Sequence, residues 1–135
     1  MLKIVITDAA KDDLDRLYDV DEDAAAEIET ALDEIAHDPL LLERLTEKKF
    51  KSIGTPEFDV DVFEELWKRG LNLLRLKFWD WQGSVVSHRV LYAYAPRTDI
   101  YYVLAVVERN YAYDTKHPTV LRVIRQYDAL GLHTY

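Results

Sequence analysis

The sequence has no cysteine, a single methionine, and only four glycines and four prolines among 135 residues. Without cysteine, neither a disulfide framework nor a thiolate metal centre can form. No run of about 18 apolar residues occurs, which excludes a transmembrane helix. The opening Met1-Leu2-Lys3-Ile4-Val5-Ile6-Thr7-Asp8 is too short for a signal peptide and runs straight into charge, so a cytoplasmic protein is expected. No internal repeat or low-complexity segment is present. What remains is 49 % apolar residues in a chain of one-domain length, so residues 1–135 are expected to form a single globular domain. Such a chain buries roughly two-thirds of its unfolded surface.

Positive charge is also scarce overall, but unevenly so. Met1 to Leu66 holds seven Lys and Arg against 20 Asp and Glu, a balance of −13. Trp67 to Tyr135 holds ten against five, a balance of +5, and together they return the overall −8. Such asymmetry can mark a charged partner, whereas acidic helices alone serve solubility.

The basic half contains three runs rich in β-branched and aromatic residues and bounded by turn signals: Leu71–Phe78, Val85–Tyr94 and Ile100–Val107. Alternation puts Arg75 and Lys77 on one face of the first. Arg89 lies on the second, and Arg109 follows the third. If the three strands pair antiparallel, these four cations converge on one concave surface suited to a phosphate backbone. His88 points away from Arg89 in a regular strand. Turns are expected at Ala95–Asp99 and in the link Phe78-Trp79-Asp80-Trp81-Gln82-Gly83, whose tryptophans are expected to pack as a flap or to stack on bases.

Around this sheet the periodicity places helices. Leu2–Thr7 reads as a short strand paired with the later sheet, and Thr7 or Asp8 as a helix cap. Ala10, Leu14, Leu17 and Tyr18 form one apolar stripe. Asp19–Asp23 breaks that helix and starts another, with Ile28, Leu32, Ile35 and Ala36 on its stripe, ending before Pro39. Two helices joined so tightly suggest an antiparallel hairpin covering the sheet. Leu40, Leu41, Leu42 and Leu45 suit one more helical turn or two. Lys48, Lys49 and Lys51 form a small basic cluster of the kind that is mostly solvated. Ser52–Asp59 reads as a loop, and Asp61–Glu64 as a capping box opening a short helix that stops at Gly70. Pro118 suits the first turn of a last helix carrying Val120, Val123, Ile124 and Tyr127. The class is α+β.

This order of elements resembles the RelE/ParE superfamily of bacterial type II toxins. The resemblance rests on Ser87-His88-Arg89-Val90-Leu91-Tyr92-Ala93-Tyr94 and Tyr102-Val103-Leu104-Ala105-Val106-Val107-Glu108-Arg109, followed by Tyr111 and Tyr113. It implies a microbial-RNase-like fold, with an antiparallel sheet packed on an N-terminal helical hairpin and a C-terminal helix. RelE-like members cut messenger RNA in the ribosomal A site. ParE-like members act on DNA gyrase. Both are neutralised by an antitoxin protein, and no cofactor or metal is implied. A diverged, inactive member that binds another protein is the third expectation.

Metal-free RNA cleavage uses the 2′-OH to attack the adjacent phosphate, with a base, an acid and cations around the developing charge. Arg89 and Arg109 match the family's sheet arginines. Lys77 can act as a base only if nearby cations depress its pKa. Tyr113 matches a tyrosine that stacks on a base or aids proton transfer. Arg75, Tyr111 and His117 are expected to bind substrate, with helix capping the alternative for His117 and salt bridges to Glu108 or Asp114 the alternative for Arg109. The chain departs from the family in its extra residues between Pro39 and Gly70, its acidity, and the lack of a histidine directly beside Tyr113.

Overall fold

The computed structural model describes residues 1–132. Alternating and continuous apolar runs build a six-stranded sheet: β1 (Lys3–Ile6), β2 (Lys51–Ser52), β3 (Phe58–Val62), β4 (Leu73–Trp79), β5 (Val85–Ala95) and β6 (Ile100–Glu108). The spatial order is β1-β6-β5-β4-β3-β2. All neighbours are antiparallel except β1, which runs parallel to β6. The three expected strands form the centre of this sheet. Parallel pairing at β1 needs a long crossover from β1 to β6, and the helices supply part of it.

Helix α1 (Asp8–Val20) is capped by the Thr7 hydroxyl, which accepts from the Ala10 N–H. Asp21 ends it and opens α2 (Glu22–Ala36), accepting from the Ala24 N–H. The hairpin lies on one sheet face. Leu14, Leu17, Ile28, Leu32 and Ile35 are buried there with Val60, Leu76, Phe78, Val90, Tyr92 and Val103. Each fully buried aliphatic or aromatic side chain contributes about 1.5–3 kcal/mol. Asp38 caps the short α3 (Pro39–Leu42), whose Leu42 joins this core.

The other face is covered by α4 (Glu64–Lys68) and α5 (Pro118–Ala129). Here Leu66, Val120, Val123 and Tyr127 pack on Leu73, Leu91, Ala93, Leu104 and Val107. Leu104 is an extra residue in β6, because Leu91 opposes Ala105 while Tyr92 opposes Val103. This bulge puts both Leu104 and Ala105 into the second core.

Among the described residues the edge of β6 has no strand partner beyond the end of β1, and side chains close it. Val106 N–H donates to Asp13 Oδ2 at 3.1 Å, and Arg122 donates to the Leu104 carbonyl at 3.0 Å. Arg122 also grips both Asp13 oxygens, at 3.0 and 2.7 Å. A row of open backbone groups is thereby blunted against unwanted pairing.

Two expectations are corrected. Ser52–Asp59 is not all loop: Ser52 and Phe58 already pair across β2 and β3. Asp61 opens no capping box, because it lies inside β3 and α4 has Phe63 at its cap with no side-chain hydrogen bond. The alternation Phe58-Asp59-Val60-Asp61-Val62 is strand chemistry, and pairing with β4 outweighs the local Asp signal. Gly70, at φ 84°, does end the segment after α4 in the left-handed region.

Candidate functional site

Strand register decides which charges meet. Asp59 on β3 faces Lys77 on β4, and Lys77 faces Arg89 on β5. One row across three strands is therefore carboxylate, ammonium, guanidinium, with neighbours one strand spacing apart, about 4.8 Å. The next row on the same face is Asp61, Arg75 and Leu91. Lys49 and Lys51 reach in from the edge. Lys49 is tethered by its N–H to the Val60 carbonyl at 2.8 Å, and Lys51 Nζ stands 3.7 Å from Asp59. Lys49, Lys51, Asp59, Asp61, Arg75, Lys77 and Arg89 line, with Tyr113, a cavity of about 290 Å³. Five cations against two carboxylates leave the lining net positive in a protein that is net negative.

The cations are not equivalent. Arg75 is only 3 % exposed. Its guanidinium donates to the Val62 carbonyl at 3.2 Å and the Ala112 carbonyl at 3.4 Å, and stands 3.7 Å from Asp61. The Phe63 ring lies 5.7 Å away and the Tyr113 ring 3.6 Å. Arg75 thus ties the segment after β6 to the sheet and holds Tyr113 by cation–π contact. Burial pushes its pKa down, opposed by the neighbouring Tyr113, Asp61 and Glu64. Arg89 is 8 % exposed, forms the floor, and donates to the Val86 carbonyl at 3.1 Å. Burial lowers its pKa too, with Arg109 and Arg75 adding repulsion and Tyr113 opposing it. Both guanidiniums keep their charge, since arginine does not deprotonate in proteins. Lys77 is half-exposed, with Nζ 4.8 Å from the Trp79 ring.

Of the residues singled out in the sequence, Arg75, Lys77, Arg89 and Tyr113 come together here. Arg109 sits in a 3-10 turn (Arg109–Tyr111) outside the cavity lining, although Arg89 feels its charge. Among the described residues it has no ion pair with Glu108 or Asp114. Tyr111 and His117 meet each other instead, with rings stacked at 4.5 Å, and line a separate groove with Asp13, Arg16 and His88. His117 Nδ1 accepts from the Thr119 N–H, capping α5. His88 points away from the cation cavity, and burial lowers its pKa. The packed tryptophan flap is half correct: Trp79 is partly buried, but Trp81 is 84 % exposed.

Sequence reasoning missed Asp59 and Asp61 as site residues and left Lys49 and Lys51 as solvated surface. The strict acidic–apolar alternation of β3 was the available signal. The Gly54 and Pro56 turn residues ahead of it hid the strand.

A family model described as "ParE toxin of type II toxin-antitoxin system, parDE" matches residues 4–113. The chain belongs to this toxin family. The match runs from Ile4 in β1 through Tyr113, taking in β2 to β6 and the whole cation cavity, and leaves residues 1–3 and 114–135, α5 among them, outside it. Neither a curated protein nor a solved structure matches the chain. The toxin is thus a RelE/ParE-superfamily toxin of a type II toxin–antitoxin system, and an antitoxin is its implied partner. Among the described residues, no helix is long and apolar enough to cross a membrane.

Proposed function

We propose that the toxin is an endoribonuclease that cuts messenger RNA with the ribosome in the cytoplasm. The observation that carries this reading is the row Asp59, Lys77, Arg89 inside one net-positive cavity beside Tyr113. The Asp59 carboxylate takes the proton of the 2′-OH as that oxygen attacks phosphorus. Arg89, with Lys49 and Lys51, neutralises the charge that builds on the phosphoryl oxygens. The bond from phosphorus to the 5′-oxygen breaks, and that oxygen takes a proton from the Lys77 ammonium. The products are a 2′,3′-cyclic phosphate and a 5′-hydroxyl. In this arrangement Lys77 is the acid and Asp59 the base. The outer face of Tyr113, 60 % exposed and backed by Arg75, suits stacking on a base. Arg109 adds positive potential near Arg89, while Tyr111 and His117 line a separate groove.

Primer extension on messenger RNA, with and without programmed ribosomes, tests the proposal. Discrete cuts that require ribosomes and vanish in Lys77→Ala/Arg89→Ala are the expected result. Intact RNA with folded protein and competent ribosomes would refute it. The second reading is inhibition of DNA gyrase, favoured by the ParE name of the matching family and by Arg109 standing outside the cavity. Its expected signature is blocked supercoiling without RNA cuts.

A further inference from the structure

The link between β4 and β5 carries a feature that the cation cavity does not use. Trp81 is 84 % exposed, yet its turn is well ordered by hydrogen bonds. Asp80 Oδ1 accepts from the Gln82 and Ser84 N–H groups, both at 2.9 Å, and the Asp80 N–H donates to the Ser84 carbonyl at 2.8 Å. Gly83, at φ 81°, takes the left-handed position that closes the turn. A large indole held in solvent by a fixed turn is available to a partner.

Trp81 stands between two concavities. One, of about 280 Å³, runs past Thr30, Ala31 and Glu34 of α2 to the β2–β3 turn at Gly54–Glu57. The other, of about 420 Å³, runs along Ala24, Ala26 and Glu27 toward the start of β5. Both share Glu27, Asp80 and Trp81. Among the described residues their combined lining holds Asp21, Asp23, Glu27, Glu34, Glu57 and Asp80 and not one Lys or Arg. Among the described residues none of these six carboxylates has an ion-pair partner. Burial raises the Glu27 pKa, and Asp80, Asp23 and Glu34 add repulsion.

We infer that this groove docks a cationic segment of a protein partner, whose arginine or lysine side chains lie over Trp81 and between the α2 and Asp80 carboxylates. Charge complementarity selects the occupant. An uncompensated acidic groove repels a nucleic-acid backbone, and an indole face attracts a guanidinium or ammonium. The groove is also tied to the cation cavity. Trp79 lines the first concavity, and its ring lies 4.8 Å from Lys77 Nζ. A segment seated beside Trp81 therefore lies one side chain from the phosphate-binding row, and the inference holds whether or not that row cuts RNA.

The experiment is fluorescence anisotropy of a short labelled peptide of alternating arginine and alanine, titrated with the full-length protein. Its expected result is saturable binding that weakens about tenfold in Trp81→Ala and in Glu27→Gln/Glu34→Gln. Glu29→Gln/Asp33→Asn, which removes two exposed charges elsewhere on α2, should leave it unchanged. A glutamate–alanine peptide of the same length should not bind. Equal weakening in the control pair would reduce the effect to net charge and overturn the inference. So would unchanged binding in both groove variants with native circular dichroism. Sedimentation without peptide covers the remaining occupant: self-association abolished by Trp81→Ala would make the groove a contact between copies and would also overturn it.

Discussion

The cation cavity and the Trp81 groove are two charged concavities joined by the Trp79–Lys77 contact, and they are built in opposite ways. In the cavity, Arg75 and Arg89 are sunk into the sheet, their guanidiniums fixed by backbone carbonyls and an aromatic ring. Charges held this way are pre-organised: their solvation was exchanged for protein dipoles during folding, so little reorganisation remains when an anion arrives. In the groove, the carboxylates stand half-buried or exposed on α2, its cap and two turns, with no ion-pair partner among the described residues. Such a surface suits steering and docking better than chemistry on a bond.

Substitutions in the two regions should separate function from stability. Lys77→Ala/Arg89→Ala should have the largest effect. Cleavage in the primer-extension assay should fall by at least about 10²-fold, because two donors to the developing charge are gone. Arg75→Ala should act on the fold first. It strands the carbonyls of Val62 and Ala112 and removes the support of Tyr113, so urea denaturation should show a loss of about 2–4 kcal/mol. Lys77→Ala alone should stay within about 0.5 kcal/mol of the parent, as usual for a half-exposed side chain. Equal stability losses in the two would break the distinction between a holding and an acting cation.

Tyr113 sharpens the same division. Tyr113→Phe keeps the ring over Arg75 and should retain most activity if stacking is its task. Tyr113→Ala should lose about tenfold, the worth of one base stack at roughly 1.4 kcal/mol. A large loss in Tyr113→Phe would instead give the hydroxyl a part in proton transfer.

The smallest effect belongs to the groove. Glu27 has a folded-state pKa raised by burial and by its acidic neighbours, so the folded protein holds that proton more tightly than the unfolded chain. Stability from this group therefore falls as pH rises through the window just above the ordinary glutamate pKa, and returns on acidification. Glu27→Gln should raise the melting temperature slightly at neutral pH and flatten that part of the stability profile. His88 gives the opposite sign. Its lowered pKa means that stability is complete above the ordinary histidine value and is lost as pH falls through the lowered one. Scanning calorimetry on His88→Gln should find that acid-side loss reduced.

Much of the frame was legible from residues alone, and for local reasons. Helix α1 and helix α2 show their stripes, a cap at Thr7 or Asp8 and the acidic break over Asp19–Asp23, and those signals act within one or two turns of chain. The three central strands show their alternation, which also put Arg75 and Lys77 on one face. Position along the chain likewise separated the acidic half from the basic one. Register, by contrast, is a relation between strands, and no single segment contains it. Pairing alone set Asp59 beside Lys77 and Arg89. The same pairing revealed β3 behind its turn residues, sank Arg75 while leaving Lys77 open, and left Arg109 outside the cavity in a turn after β6. Trp81 shows the same limit from the other side. An indole in a short link is apolar enough to be read as packed. Only the folded chain shows that α2 stops short of covering it, so it stands exposed among carboxylates drawn from three separate segments.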